Sequence, residues 1–475
     1  MEILASDSIS GKSSNAITNI INVLNLQFLV ERAKQLGAKQ RIRKLNIVEV
    51  ATALIAYLGT QGNSSSEGFC IASLHAFFDE HFKNCKVTPK AFHKAIDKEG
   101  FYLFMVDIVN RLAAMKPSSY LPSMDDLFYV FTDALRLMDI VEVDGCELRV
   151  IPSCHKQFAC KAKSKSKYQC VIPAAGIKIH FGYSPISCSP VFAIVTQATD
   201  SERAFVLTDN DHDGILYICD KGYISEKLWA DIHNRGNFFI MKGFKNMAAE
   251  ILSAHDQYGN ELPELKGLKV SCELNSKLAK YQLVDCMVKT AKGSIVRVVR
   301  SFNTKKKEYV YFVTNIPQDK VCAKIIAKAY RIRWQQEIFH KALKSFNGLK
   351  TINSHSKWII LAFFYASLAS FLLKMLVGNY IAKKHKYAFE LSMLKVQMYV
   401  NNTIYLLKGM LASSKHIIYD LLKEYSDRLR NRVLRSKPSK RDKEAGKDLP
   451  LLAQSIVYDH KSGKGTFEGM EVSFS

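Results

Sequence analysis

Between residues 15 and 114 apolar side chains recur at intervals of three and four, as in Ile17, Ile20, Ile21, Leu24 and Phe28, and again in Ile47, Val50, Ala53, Leu54 and Tyr57. That period lines one face of an α-helix, so the region reads as all-helical. Beyond it the pattern shortens. Residues 128–131, 140–143, 147–151, 176–181, 190–195 and 215–219 are brief runs rich in Val, Ile, Phe and Tyr, which predict strands. A helix over 225–234 and, after the Gly236-Asn237 turn, a strand over 238–241 complete an α/β pattern. From about 245 to 315 the pattern is strand only, with runs at 269–274, 281–288, 294–301 and 308–314 separated by Asn, Gly and Lys turns. Helical spacing returns over 321–345, again from Trp358, and continues to about Arg435. Residues 435–449 carry no hydrophobic period and read as a basic tail or linker.

These changes divide the chain into a helical N-terminal region at 1–120, the first part of a core at 121–244 and a β-rich insertion at 245–318. The second part of the core, at 319–380, and a helical C-terminal region with its tail, at 381–475, follow. The apolar run 358–373 lies between Lys357 and Lys374 and falls short of the roughly 20 residues that cross a bilayer, so it predicts a buried helix.

Charge then narrows the partners. Lys and Arg number 67 against 44 Asp and Glu, a formal charge of +23 over 475 residues, while 48% hydrophobic residues exclude wholesale disorder. Such a field concentrates polyanions, nucleic acid before all. The polar, Ser-rich residues 1–15 lack the basic and apolar regions of a secretory signal, and an internal location is expected. The 11 cysteines include no CxxC pair; Cys154, Cys160 and Cys170, with His155, have spacings that fit no tetrahedral zinc site, and all read as reduced.

Candidate chemistry centres on residues 330–344. Tyr330, Arg333, Glu337, Lys341 and Lys344 step by three, four, four and three, forming one polar stripe on a helix, while Ile325, Ile332, Phe339 and Leu343 fall on other faces and bury. Asp144, before Gly145, and Asp220, before Lys221-Gly222-Tyr223, read as the ends of apolar strands. Two strand-borne aspartates and a helix-borne glutamate can converge on a pair of hard divalent cations, which take oxygen ligands and act on a phosphodiester. Spacing alone leaves open a solvated helical face with i,i+4 pairing.

The segment Tyr330-x2-Arg333-x3-Glu337-x6-Lys344 resembles the signature of the insertion-sequence-four family of bacterial DDE transposases. Asp144-Gly145, Ile177-Lys178-Ile179-His180, Asp220-x-Gly222-Tyr223 and Val313-Thr314-Asn315-Ile316-Pro317 are similar to that family in the same order, over about residues 125–350. The resemblance implies an RNase H-like core, a mixed sheet with flanking helices interrupted by a β-rich insertion. It implies Asp144, Asp220 and Glu337 as catalytic residues and ligands of two Mg2+ ions, with Mn2+ a substitute. It also implies Tyr330, Arg333, Lys341 and Lys344 as contacts to DNA. The expected reaction is cleavage of double-stranded DNA at the inverted-repeat ends of a transposon, then attack of the freed 3′ hydroxyl on target DNA. A homodimer on paired ends, a nucleoid-associated place in the bacterial cytoplasm and no membrane partner follow from the same likeness. Some relatives stack a Trp of the insertion on a flipped base. Here no Trp lies between Trp229 and Trp334, so that device is either absent or served by an aromatic such as Tyr281, Tyr309 or Tyr311, and the hairpin step stays open.

Asp209-Asn210-Asp211-His212-Asp213-Gly214 reproduces the start of a calcium loop with Asp220 at its twelfth position, but a strand follows where a helix is required, so it reads as a polar turn. The lysines at 161, 163, 165 and 167 and the basic cluster Lys39, Arg41, Arg43 and Lys44 are solvated loops or grips on a phosphate backbone. His180 and His340 are read as hydrogen-bonding groups. The alternatives to a transposase are a DNA-binding relative without metal chemistry, a metal-dependent nuclease without strand transfer, and a membrane-surface protein.

Overall fold

The short apolar runs pair into one ten-stranded sheet in the computed structural model. The residues described are 25–435 apart from 39–44, 61–69, 83–86, 116–130, 152–153, 155, 161–173, 206, 208–212, 246, 271–277, 279, 304–305, 350–351, 353 and 386–389, and then 456–459, 464–467 and 470–473. Strands β1 (Asp139–Val150), β2 (Ala159–Cys160), β3 (Ala174–Ser184), β4 (Ser189–Gln197) and β5 (Ile215–Cys219) come first. Helix α6 (Glu226–Asn234) then leads to β6 (Phe238–Lys242), the helices α1 to α5 lying earlier in the chain. β4, β3 and β1 are antiparallel neighbours, β1 runs parallel to β5, and β5 parallel to β6. This five-strand arrangement is the RNase H-like core implied by the resemblance.

The strand-only region continues the same sheet. β7 (Ala249–Asp256), β8 (Leu283–Thr290), β9 (Ile295–Asn303) and β10 (Glu308–Thr314) pair antiparallel in sequence, and β10 pairs with β6. Residues 271–274 of one expected strand lie outside the described residues; Lys269 makes a single bridge to Glu250.

Two expectations need correction. Residues 140–143 and 147–151 are not separate strands: β3 pairs with β1 without a break from Glu142↔Tyr183 to Val150↔Ala175, and the antiparallel ladder carries the chain straight through Gly145. Asp144 therefore stands within a strand, not at its end. Phe131 opens a helical segment, 131–135, instead of closing a strand, and 128–130 lie outside the described residues.

One face of the sheet is covered by α6, whose Leu228, Trp229 and Ile232 pack with Val141, Val143, Tyr217 and Cys219. Against the other lie α7 (Ala323–Ala329), a 3-10 turn (Tyr330–Arg333) and α8 (Trp334–Phe346). The N-terminal helices α1 (Leu26–Gln35), α2 (Ile47–Thr60), α3 (Ile71–His81), α4 (Pro89–Ile96) and α5 (Glu99–Ala114) gather around α9 (Lys357–Lys384). α10 (Met393–Tyr399), α11 (Ile404–Leu411) and α12 (Lys415–Val433) complete this helical core, and short strands lie at 434–435 and beyond 455.

The apolar helix is longer than the uncharged run suggested. α9 has 28 residues, enough by length and composition to cross a membrane, and 94% of its most apolar window is buried inside the protein. It passes through Lys374 because that ammonium is fully buried and donates to the carbonyls of Gly59 (2.8 Å), Phe346 (3.0 Å) and Gln397 (3.1 Å), tying α2, α8 and α10 to α9. Burial lowers its pKa from 10.5 to about 7. Between those two values the unfolded chain binds a proton that the folded chain does not, so this group's penalty, full below pH 7, is relieved as pH rises toward 10.5. Lys374→Met is expected to cost about 2–4 kcal/mol by leaving three carbonyls without a donor. The melting temperature of the wild type is expected to rise between pH 7 and 9 relative to that of the variant, as thermal unfolding monitored by circular dichroism would show.

Candidate active site

Register sets the site. β1 and β5 run parallel with Val143 opposite Cys219 as their last pair, so Asp144 and Asp220 are the next residue on each strand. Neighbouring strands lie about 4.8 Å apart, and in a parallel ladder paired positions project to the same face. The two aspartates thus stand side by side at the lip of the parallel ladder. Val141 and Val143 project to the α6 face, so the period of two sends Glu142 and Asp144 toward α8.

Helix α8 is docked onto that face by its own first turn. The Gln336 backbone N–H donates to Glu142 Oε2 at 2.8 Å, and the Gln336 side-chain amide donates to the Phe181 carbonyl at 3.1 Å. Phe339 and Leu343 are fully buried on the core side, as their spacing predicted, with Phe339 stacked on Tyr183 at 4.7 Å between ring centroids. Glu337 is thereby brought over the strands.

Arg333 connects the carboxylates. Its guanidinium donates to Asp144 Oδ2 at 3.2 Å and to Glu337 Oε1 at 2.6 Å, while the Tyr330 hydroxyl donates to Asp220 Oδ1 at 3.1 Å. All three sequence-predicted acids therefore meet around two side chains of the signature. The expected stripe is modified in two ways: Tyr330–Arg333 is a 3-10 turn ahead of the α-helix, and its Tyr330 and Arg333 are half-buried against the acids. Lys341 is exposed and Lys344 half-buried near the Cys146 thiol.

The electrostatics follow from crowding. Burial raises the Asp144 pKa to about 6, opposed by Arg333 and by the Gly145 N–H, and reinforced by Asp220 and Glu202. Glu142, fully buried, is pushed well above the usual carboxylate range. Burial holds His180 down to about 4 and His340 to about 3, so both are neutral, and His180 bonds to the Tyr223 hydroxyl (2.7 Å) and Thr196 Oγ1 (3.1 Å). The calcium-like loop and the lysines at 161–167 lie outside the described residues, apart from Asp213 and Gly214. Cys154 is buried and donates to the Ser354 carbonyl.

Among the described residues, no group of three or more His, Cys, Asp and Glu side chains is gathered closely enough to hold a metal ion as it stands. The donor set still fits a divalent cation: it consists of carboxylate oxygens, which hard cations prefer, and two of them already share one positive group, the Arg333 guanidinium. Asp144, Asp220 and Glu337 are the residues that would hold it.

Glu142 and Gln336 were missed by sequence reading. The alternation Val141-Glu142-Val143-Asp144 held a signal for the first, since a period of two puts both acids on one face.

The chain is 26% identical over 230 residues to the putative transposase InsL for insertion sequence element IS186A of Escherichia coli (strain K12), a match covering 41% of this chain and 60% of that protein. It is 24% identical over 208 residues to the putative transposase y4zB of Sinorhizobium fredii, covering 42% and 53% respectively. The chain thus spans about 60% of the length of the first of these relatives. A cryo-EM structure of a piggyBac transposase synaptic complex with hairpin DNA aligns over 96% of both chains at 9% identity and a TM-score of 0.42, a likeness too low to bear on the site. The family described as the transposase DDE domain matches residues 136–373, the stretch that holds both aspartates, the signature turn and helix and the sheet that joins them, and the chain belongs to that family.

Proposed function

We propose that this chain is a DNA transposase of the insertion-sequence-four group, cutting double-stranded DNA at the inverted-repeat ends of its element and joining the freed 3′ hydroxyl to target DNA. The observation that carries this reading is the register of β1 and β5, which sets Asp144 and Asp220 side by side where α8 delivers Glu337. Two Mg2+ ions, or Mn2+ in their place, would supply Lewis acidity and charge neutralisation at the phosphodiester. The protein's part is to orient. Asp144 and Asp220 are fixed by the sheet, and Glu337 by the docking of Gln336. Tyr330 and Arg333 join the acids to the approaching DNA phosphates, with Lys341 and Lys344 further along the helix extending that contact. The charge of +23 supplies affinity that does not depend on sequence.

The same reading assigns residues 1–120 to DNA binding, 121–244 and 319–380 to the catalytic core, 245–318 to its insertion and 381–475 to a supporting region. It takes the active species as a homodimer on paired ends, working at the nucleoid in the cytoplasm and without a membrane partner. The burial of α9 within the protein supports the last point.

Purified protein incubated with DNA carrying the repeats that flank its coding region is expected to nick both ends only when Mg2+ or Mn2+ is added, and to yield joined products with a target plasmid. Binding is expected to weaken steeply between 50 and 200 mM salt, by roughly 10³-fold for six phosphate contacts. Nicking without joined products would identify a nuclease; binding without nicking would identify an inert relative.

A further inference from the structure

The signature side chains expected to meet DNA are turned inward, onto the acids. Arg333 donates through Nη1 to Asp144 Oδ2 at 3.2 Å and through Nη2 to Glu337 Oε1 at 2.6 Å, and the Tyr330 hydroxyl donates to Asp220 Oδ1 at 3.1 Å. Each of the three carboxylates thus has an oxygen held by a signature side chain. The other Asp144 oxygen, Oδ1, accepts from the Gly145 N–H at 2.9 Å. Among the described residues the acids are not gathered closely enough to hold a metal as they stand, and the guanidinium bridges two of them. It therefore competes with a divalent cation for the same oxygens. We propose that Arg333, with Tyr330, is a latch on the cation site: it keeps cation affinity low until a phosphate of the bound DNA takes the guanidinium away, so that DNA and divalent cation bind with positive cooperativity. The latch rests on the function proposed above and is the regulation of that same site.

Backbone and charge both suit such an exchange. Tyr330–Arg333 is a 3-10 turn set between α7 and α8, and a 3-10 stretch within a helical run often marks a hinge. Ile332 is buried and ties the turn to the core, while the Arg333 side chain keeps 20% of its surface open to solvent. Its planar fork fits a phosphate as well as it fits a pair of carboxylates. Stripping the guanidinium from two partly buried carboxylates is costly unless another positive charge replaces it, and a hard cation takes such oxygens as ligands. Phosphate and cation therefore each make room for the other, and the site assembles only when DNA is seated.

The test titrates the full-length protein with Mn2+, followed by electron paramagnetic resonance, with and without a duplex carrying the element's end; Mn2+ held by the duplex alone is subtracted. For the wild type the duplex is expected to tighten Mn2+ binding about tenfold, and Mn2+ to tighten duplex binding by the same factor, read by fluorescence anisotropy at constant ionic strength. Arg333→Gln is expected to bind Mn2+ about tenfold more tightly than the wild type without the duplex and to gain little more with it. Arg333→Lys keeps the charge but cannot bridge both acids; it is expected to fall between, and it serves as the test if thermal unfolding shows the glutamine variant unfolded. An equal gain from the duplex in the wild type and in the Arg333 variants would mark a general attraction of Mn2+ to nearby DNA and overturn the proposal. Unchanged or weaker Mn2+ binding by the folded variants without the duplex would also overturn it. If the wild type binds Mn2+ at a site that Asp144→Asn weakens but the duplex changes nothing, only the latch fails; a wild type that binds no Mn2+ displaced by Mg2+, with the duplex or without it, removes the proposed function as well.

Discussion

Asp144→Asn, Asp220→Asn and Glu337→Gln are each expected to lower metal-dependent nicking of the element's ends by on the order of 10³-fold or more, while DNA binding in the absence of metal is retained. Each substitution keeps the side chain's shape and removes its charge. The binding of DNA depends on the protein's cationic groups, and removing one acid leaves those in place or frees them: Arg333 loses one of two carboxylate partners when Asp144 or Glu337 is neutralised. Because the three acids act as a unit, a double variant is expected to be scarcely worse than either single one. Nicking and gel-shift assays on the same preparations would measure both effects. Retention of activity in any single variant would remove that residue from the site.

The largest loss of stability is expected from a pair outside the site. Arg297 is 1% exposed, and its guanidinium makes two 2.8 Å bonds to the Asp285 carboxylate. Its remaining nitrogen donates to the carbonyls of Ile316 (3.2 Å), Pro317 (3.1 Å) and Val321 (2.7 Å). One side chain therefore fastens β8 and β9 to the connection that leads from β10 into α7 and the signature turn. Arg297→Leu strands a buried carboxylate and is expected to cost about 3–5 kcal/mol. Arg297→Leu with Asp285→Leu is expected to recover a substantial part of that loss, since the uncompensated charge is gone and only the three carbonyls lack a donor. Denaturant unfolding of the two variants checks the order; a single variant as stable as the double one would contradict it.

The stretch Val313-Thr314-Asn315-Ile316-Pro317 shows how much of this was legible. Its likeness to the family was visible in the sequence, but its role was not. Asn315 accepts from the Phe239 N–H and donates to the Asn237 carbonyl, each at 2.9 Å, locking the end of β10 to β6, while Ile316 and Pro317 supply carbonyls to Arg297. Local spacing cannot report partners about 76 residues away. The same limit explains β1. Its Gly145 reads as a break when strands are judged singly, and the pairing that carries the chain through it comes from β3, some 35 residues on. The strands and the helical signature segment were readable because each is encoded in a short window, by period-two alternation or by steps of three and four, whereas Asp144, Asp220 and Glu337 were singled out only through the family resemblance.

Burial of charge was the least legible feature. Lys374 looked like the end of an apolar run and is instead its interior, since the carbonyls that accept from it come from three other helices' ends. Glu142 lay two residues before Asp144 and was passed over, yet it receives the first turn of α8 and so positions Glu337. Arg333 and Tyr330 were assigned to DNA from the signature. The geometry adds that both are bonded to the acids themselves, so the proposed contact with DNA at these side chains would be coupled to the disposition of the site.

Asp144, Asp220 and Glu337 are proposed to bind divalent cations together. Direct titration of the full-length protein with Mn2+, followed by the loss of the free-ion electron paramagnetic resonance signal, tests it without DNA or turnover. The wild type is expected to bind Mn2+ at a site that Mg2+ competes for, and Asp144→Asn, Asp220→Asn and Glu337→Gln are each expected to weaken that binding by an order of magnitude or more. Equal Mn2+ binding by the wild type and all three folded variants would contradict the account.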